Sequence, residues 1–153
     1  MSRMTSRRFL LFCLPLALIG CGGGSQQRLA LPAVAQTKAR LVFYRGGDPY
    51  NDGLVWTRVL LNGESIGAAA PGTVFYRDLA PGVYQIGVDS ERLYPDQIKA
   101  VALDAGSTTY VKVVAAPLWG QSGMQWWGNT FTTAVIVPAV AQAEIGPLRL
   151  ASD

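Results

Sequence analysis

The chain has 153 residues, with 13 Lys+Arg, 10 Asp+Glu, no His and two Cys, for a formal net charge of +3. Half of it is apolar and only 15% is charged, which excludes an intrinsically disordered chain. Without His it cannot assemble the usual zinc sites, and a Ser-His-Asp or Cys-His nucleophile pair is impossible. The length suits one domain.

In chain order, the first element is an export signal. Arg3, Arg7 and Arg8 form a positive start, and Phe9 to Ile19 is an apolar run interrupted by one Pro. A bilayer span needs about 20 apolar residues, so this run is too short to cross. It fits the apolar region of a secretory signal, roughly 7–15 residues long. The run ends Leu18-Ile19-Gly20-Cys21, which resembles the bacterial lipobox. That chemistry needs a thiol, because the sulfur of Cys21 takes a diacylglycerol thioether. Cleavage before Cys21 then frees an amine for further acylation. The competing reading is a plain signal or an N-terminal anchor with an incidental Cys. One acyl chain holds a protein only marginally, whereas two or more hold it firmly.

Gly22, rather than Asp, follows the Cys, which resembles an outer-membrane address. The expected location is therefore the bacterial cell envelope, on the inner leaflet of the outer membrane facing the periplasm. Ser6-Arg7-Arg8-Phe9-Leu10-Leu11 also partly resembles a twin-arginine signal, and the strongly apolar run favours the general route; both remain open. Residues 1–20 are thus read as a removed lipoprotein signal. Residues 21–39 are read as a lipidated N-terminus and flexible linker, rich in Gly, Gln, Ala and Pro. Residues 40–150 are read as the folded domain. Cys13 leaves with the signal and Cys21 is used by lipid, so no thiol remains. The three Arg of the signal leave too, and ten basic residues then face ten acidic ones, net zero. The positive charge belongs to the export signal, and no nucleic-acid partner is expected.

From Arg40 onward, short β-branched and aromatic runs alternate with turn residues at intervals of about ten. Strands are predicted at 40–45, 54–61, 64–69, 73–79, 83–89, 98–103, 108–115 and 131–137. Asn62-Gly63 predicts a type I′ hairpin turn. Gly67 marks a bulge or a close backbone approach. Ala70-Pro71-Gly72 and Ala80-Pro81-Gly82 each read as a type II turn. Val74, Tyr76 and Asp78 alternate with Phe75 and Arg77; Tyr84, Ile86 and Val88 share a face; Val111 and Val113 oppose Tyr110, Lys112 and Val114. Residues 139–145 are the best helix candidate. The fold class is all-β: a small antiparallel β-sandwich of transthyretin or Ig-like type with 7–8 strands.

Pro117 to Asn129 holds three of the four Trp and three Gly, and is read as a loop. Trp119, Met124, Trp126 and Trp127 are the candidate partner-binding residues, since Trp in such a setting docks partners, stacks on sugars or sits among lipid headgroups. The bland alternative is that the rings fold over an open end of the sandwich. Asp48, Asp52, Asp89, Glu91 and Asp96 lie in or beside loops, where paired carboxylates could do glycosidase acid-base work or hold Ca²⁺, but nothing in the sequence fixes their separation and acidic residues are common there for turn geometry alone. Arg40, Arg45, Arg58, Arg77 and Lys112 alternate with apolar residues and read as solvated faces or edge protection. Tyr44, Tyr76, Tyr84 and Tyr110 are expected inside the sandwich with hydroxyls at a rim. There is no phosphate loop, because Cys21-Gly-Gly-Gly precedes a linker rather than joining a strand to a helix.

Several of these runs occur together in one family of small bacterial lipoproteins. Val59 to Gly67, Pro71-Gly72-Thr73 and Tyr76 to Tyr84 resemble a family known as domain of unknown function 2846, as do Arg40 to Arg45, Ala105 to Val113, Ala143-Glu144-Ile145 and Leu148-Arg149-Leu150. The resemblance spans roughly residues 40–150. It implies a β-sandwich in the cell envelope and transfers no catalytic residue and no ligand. Leu-x-Pro-Gly-x-Tyr recurs in many sandwich modules as a strand-turn-strand device. The expected function is a non-enzymatic, lipid-anchored envelope protein, a binding or structural module facing the periplasm. Its partners would be the membrane through the anchor and an envelope protein or peptidoglycan. No catalytic residue, no metal and no cofactor are expected, apart from the covalent lipid on Cys21. The alternative is a carboxylate-based surface enzyme acting on envelope glycan, which needs two facing carboxyls about 5–9.5 Å apart.

Overall fold

The computed structural model describes residues 29–47, 56–90, 97–119 and 126–151. The strands are β1 (Ala39–Arg45), β2 (Thr57–Leu61), β3 (Glu64–Ala69), β4 (Thr73–Leu79), β5 (Gly82–Val88), β6 (Lys99–Leu103), β7 (Thr108–Trp119), β8 (Trp126–Ile136) and β9 (Arg149–Leu150), with helix α1 (Pro138–Ile145) before β9. They form two sheets, ordered β8-β7-β1-β4-β9 and β3-β2-β5-β6. The all-β sandwich is thus present, and β3 and β4 carry the boundaries expected from the sequence. The sheets are not purely antiparallel, however. β1 pairs with β7 in parallel, and so does β4 with β9. The reason is connectivity: β1 and β7 come from distant parts of the chain and are not joined by a hairpin, so no tight turn dictates their direction.

The core between the sheets is built by alternation. Leu41 and Phe43 of β1, Val59 and Leu61 of β2, Phe75 of β4, Ile86 and Val88 of β5, and Val111 and Val113 of β7 all point inward. Phe43 and Phe75 stack with centroids 5.2 Å apart. The opposite face of the first sheet is also covered. Val42, Tyr44, Val74 and Tyr110 pack beneath Ala141 and Ile145 of α1, with Leu29, Leu31 and Leu148 beside them. β1 is accordingly buried along its whole length. A strand covered on both faces reads as a continuous apolar run rather than an alternating one, and Leu-Val-Phe-Tyr is such a run. The molecule has three layers: α1 with the N-terminal segment, the first sheet, and the second sheet.

This third layer changes several expectations. Residues 29–38, read as linker, belong to the domain from Leu29 onward. The Leu29 amide donates to the Gly146 carbonyl at 3.4 Å, and Leu29 and Leu31 are half-buried on the second cluster. Arg40 and Arg45 are not solvated; they are 3% and 1% exposed, because β1 is central rather than an edge. Tyr44, Tyr76 and Tyr110 lie outside the inter-sheet core, on the face under α1, while Tyr84 packs against the core. The predicted helix is present and is one residue longer at its start, with Pro138 in its first turn, where a missing N–H costs nothing.

The turn chemistry is mostly as predicted. Asn62 (φ 51°) and Gly63 (φ 86°) make the β2–β3 hairpin turn. The Asn62 side chain accepts from the Gln85 amide at 2.8 Å and so ties that turn to β5. The two Ala-Pro-Gly segments are not hairpins: each carries the chain from one sheet to the other, β3 to β4 and β5 from β4. Gly72 has φ 70°, as a type II turn requires, whereas Gly82 is nearly extended at 158° and opens β5. At that second corner the Tyr84 hydroxyl donates back to the Ala80 carbonyl at 2.8 Å. This is the tyrosine-corner arrangement of sandwich folds.

Candidate functional site

Cys21 lies outside the described residues, as do Met124, Asp48, Asp52, Glu91 and Asp96. The Trp segment, read as a loop, is strand at both of its described ends. Its backbone continues β7 through Pro117 to Trp119 and opens β8 at Trp126, with Trp119 and Trp126 paired across the strands. Trp127 follows in β8. Trp and β-branched residues favour the extended backbone, and this outweighs the glycine content that pointed to a loop. β1 pairs with β7 only as far as Lys112, so the rest of the β7–β8 ribbon extends beyond the strand that anchors its base.

That base is held by buried polar groups. Gln97, 2% exposed, donates from Nε2 to the Phe131 carbonyl at 2.8 Å, and the Phe131 amide donates to Ser90 Oγ at 3.2 Å. The Arg45 guanidinium lies 5.0 Å over the Phe131 ring and donates to the Ala69 carbonyl at 3.3 Å. The Thr57 hydroxyl donates to the Asp89 carbonyl, joining β2 to the end of β5. The hydroxyls of Thr130 and Thr133 are buried without a hydrogen-bond partner among the described residues. No sequence pattern singles out Gln97; its role comes from a contact with a residue 34 positions away.

The outer face of the first sheet carries the charged groups with the best-defined geometry. Arg40 faces Asp78 across β1 and β4 and donates to both carboxylate oxygens at 2.7 Å. It also donates to the Pro32 carbonyl of the N-terminal segment and stacks 4.2 Å over the Tyr76 ring. The hydrogen bond from Arg40 holds the Asp78 carboxyl below the usual carboxylate range. Glu144 of α1 accepts from the Tyr44 hydroxyl at 2.7 Å and from Lys112 Nζ at 2.9 Å. Those two donors, Tyr44 first, lower the Glu144 carboxyl. Burial, then the Glu144 hydrogen bond, pushes the Tyr44 hydroxyl up. Both carboxylates are therefore held ionised in structural contacts, the reverse of what a general acid needs.

Between the N-terminal segment and α1, a cleft of about 390 Å³ opens over Arg40, Thr108 and Tyr110. Its walls are Leu31 to Val34 on one side and Gln142, Ile145 and Gly146 on the other. The Tyr110 hydroxyl accepts from Gln142 at 3.4 Å at its rim. A second feature lies on the far side of the molecule. The outer face of the second sheet exposes Val83 (70%), Ile98 (60%) and, beside β2, Trp56 (55%), with Arg58, Gln85 and Asp89 among them. Ile98 lies across the bare backbone of Gly87. Of the expected arginines, Arg58 is solvated, whereas Arg77 is half-buried and bridges the sheets: it donates to the Ile66 carbonyl of β3 at 2.7 Å and to its own strand at Tyr76 at 2.9 Å.

Among the described residues no three His, Cys, Asp or Glu side chains gather as a metal site, and no helix is long and apolar enough to cross a membrane. No curated protein and no solved structure matches the chain. A family does match, over residues 35–120, which runs from the approach to β1 to the end of β7 and leaves β8, α1 and β9 outside the matched span that was expected to reach residue 150. The match covers more than half of the 153 residues, and the chain belongs to that family, described as protein of unknown function, DUF2846.

Proposed function

We propose that this is a non-enzymatic, lipid-anchored protein of the bacterial cell envelope, a binding or structural module that faces the periplasm from the outer membrane. The observation that carries the anchoring is Leu18-Ile19-Gly20-Cys21 at the end of an Arg-led apolar run too short to span a bilayer. The binding role draws support from the neutral mature chain, from the exposed apolar side chains of the second sheet, and from the ribbon whose base is hydrogen-bonded while its Trp-bearing end extends past β1. The partner would be an envelope protein or peptidoglycan. The glycan-hydrolase alternative would draw on Asp48, Asp52, Asp89, Glu91 and Asp96, of which only Asp89 lies among the described residues.

The test is Cys21→Ser in the producing cell. The wild-type chain should be cut before Cys21 and take up labelled fatty acid, and the variant should do neither. Mature-size wild-type protein without lipid label would overturn the anchor. Crosslinking in the same cells then tests the binding half. Replacing Trp119, Trp126 and Trp127 with Ala should remove a crosslinked partner while the domain stays folded; an unchanged crosslinking pattern counts against the Trp-bearing ribbon as the contact.

A further inference from the structure

We propose that the layer formed by α1 and the N-terminal segment is the face with which the domain lies against the lipid surface. The proposal rests on the anchor at Cys21.

Chain length limits the orientation first. Leu29 is hydrogen-bonded to Gly146 at the end of α1, so the tether leaves the domain at this layer. Eight residue steps join Cys21 to Leu29. Fully extended, eight residues span at most about 26–29 Å. The outer face of the second sheet lies two layer spacings away, each about 10 Å, plus the side chains on both sides. Bringing that far face to the bilayer would consume the entire tether in running around the molecule. Bringing the α1 face down uses little of it.

Chemistry selects the same face. A helix that is apolar all round belongs in a buried setting, and α1 carries one charge in Pro-Ala-Val-Ala-Gln-Ala-Glu-Ile. That charge, Glu144, bonds to Tyr44 and Lys112 of the sheet beneath. Most of what remains exposed is apolar: Val137 (65%), Val140 (48%) and Ala143 at the helix, and Ala30, Pro32 and Ala33 on the segment beside it; the charges that reach the surface there, Glu144, Lys112 and Asp78, are each part of an ion pair. The cleft between the two opens onto the same neutral face. The far sheet instead exposes Arg58 and Asp89 among its apolar residues. A neutral apolar face resting in the headgroup boundary gains from burial of each side chain. It need only bias an already tethered domain, so modest area suffices.

The experiment uses the full lipidated protein in phosphatidylethanolamine–phosphatidylglycerol vesicles. The mature chain has no thiol other than Cys21, so a single introduced Cys takes an environment-sensitive fluorophore cleanly. Val140→Cys and Ala33→Cys report on the proposed face, and Val83→Cys reports on the far sheet. Flotation with the vesicles and acyl label on the protein are scored first. Probes at 140 and 33 should be blue-shifted and quenched several-fold more strongly by lipid-borne nitroxide than the probe at 83. Lipidated, floating protein whose three probes behave alike, or whose probe at 83 is the most quenched, overturns the orientation and leaves the anchor intact. Protein without acyl label overturns the anchor itself, and the orientation with it.

Discussion

Arg40 shows how one side chain joins two readings of the chain. It is buried, and its charge is met by Asp78, which is 36% exposed at its side chain. The pair is therefore asymmetric, and so are its mutations. Removing Asp78 strands a buried guanidinium, for which the loss of a partner costs about 3–5 kcal/mol. Removing Arg40 leaves a carboxylate that water can reach, and Met keeps most of the apolar stem packing, so Arg40→Met should cost about 1–2 kcal/mol. Asp78→Asn is thus expected to destabilise more than Arg40→Met, as read by urea unfolding of the lipid-free domain. Equal losses would mean that the stack on Tyr76, rather than the charge pair, dominates.

At the scale of elements, β3 shows a bulge with a purpose. The pairing of β2 with β3 slips between Val59 and Leu60, leaving Ile66 as the extra residue next to Gly67. A methyl group on Gly67 would stand 2.8 Å from the Phe75 ring, closer than real contacts allow. Phe75 is stacked on Phe43 in the core and has little room to retreat. Gly67→Ala should therefore cost about 1–3 kcal/mol through overpacking. Gly46→Ala is the control, since nothing lies within 4 Å of its added methyl. It should be neutral or slightly stabilising, by less than about 1 kcal/mol. Thermal unfolding of the two variants distinguishes the steric cause from a general cost of replacing glycine.

For the whole molecule, the two carboxylates with lowered pKa sit on the same outer layer and set its acid response. Asp78 ties β4 to β1, and Glu144 ties α1 to β1 and β7. A carboxyl whose folded pKa is depressed contributes stability above its ordinary pKa, about 4, and loses it as pH falls through the folded value. Stability should hold flat through neutral pH and fall once pH drops below the ordinary carboxylate range. Glu144→Gln should flatten part of that fall. Tyr44 runs the other way: its raised pKa keeps the hydroxyl protonated, so its contribution is complete below about 10 and declines only in stronger alkali. Denaturation midpoints across pH check both limbs. An acid limb identical in Glu144→Gln and wild type would mean that the α1 contact adds nothing to stability.

Much of this was legible in the sequence because it depends on neighbours along the chain. Period-2 alternation placed eight strands, since one face of each must be buried. Asn62-Gly63 specified its turn through the positive φ that few other residues accept. The Arg-led apolar run ending in Cys21 set the expectation of a lipid anchor, and the position of Arg3, Arg7 and Arg8 within it set the expectation that the net positive charge belongs to the signal. What tertiary structure alone decided depends on contacts between distant residues. β1 became a central strand because β7, about 68 residues on, lies beside it in parallel; nothing local predicts that pairing. Its centrality buried Arg40 and Arg45, whose alternation with apolar residues reads in the sequence as a solvated face. The packing of Leu29 and Leu31 on α1 shortened the expected tether, because two leucines in a Gly- and Ala-rich stretch have no period until a groove receives them. Local physics thus determined the strands and the turns and set the expectation of an export signal, and long-range burial decided which charges are structural and that the chain from Leu29 onward packs with the domain.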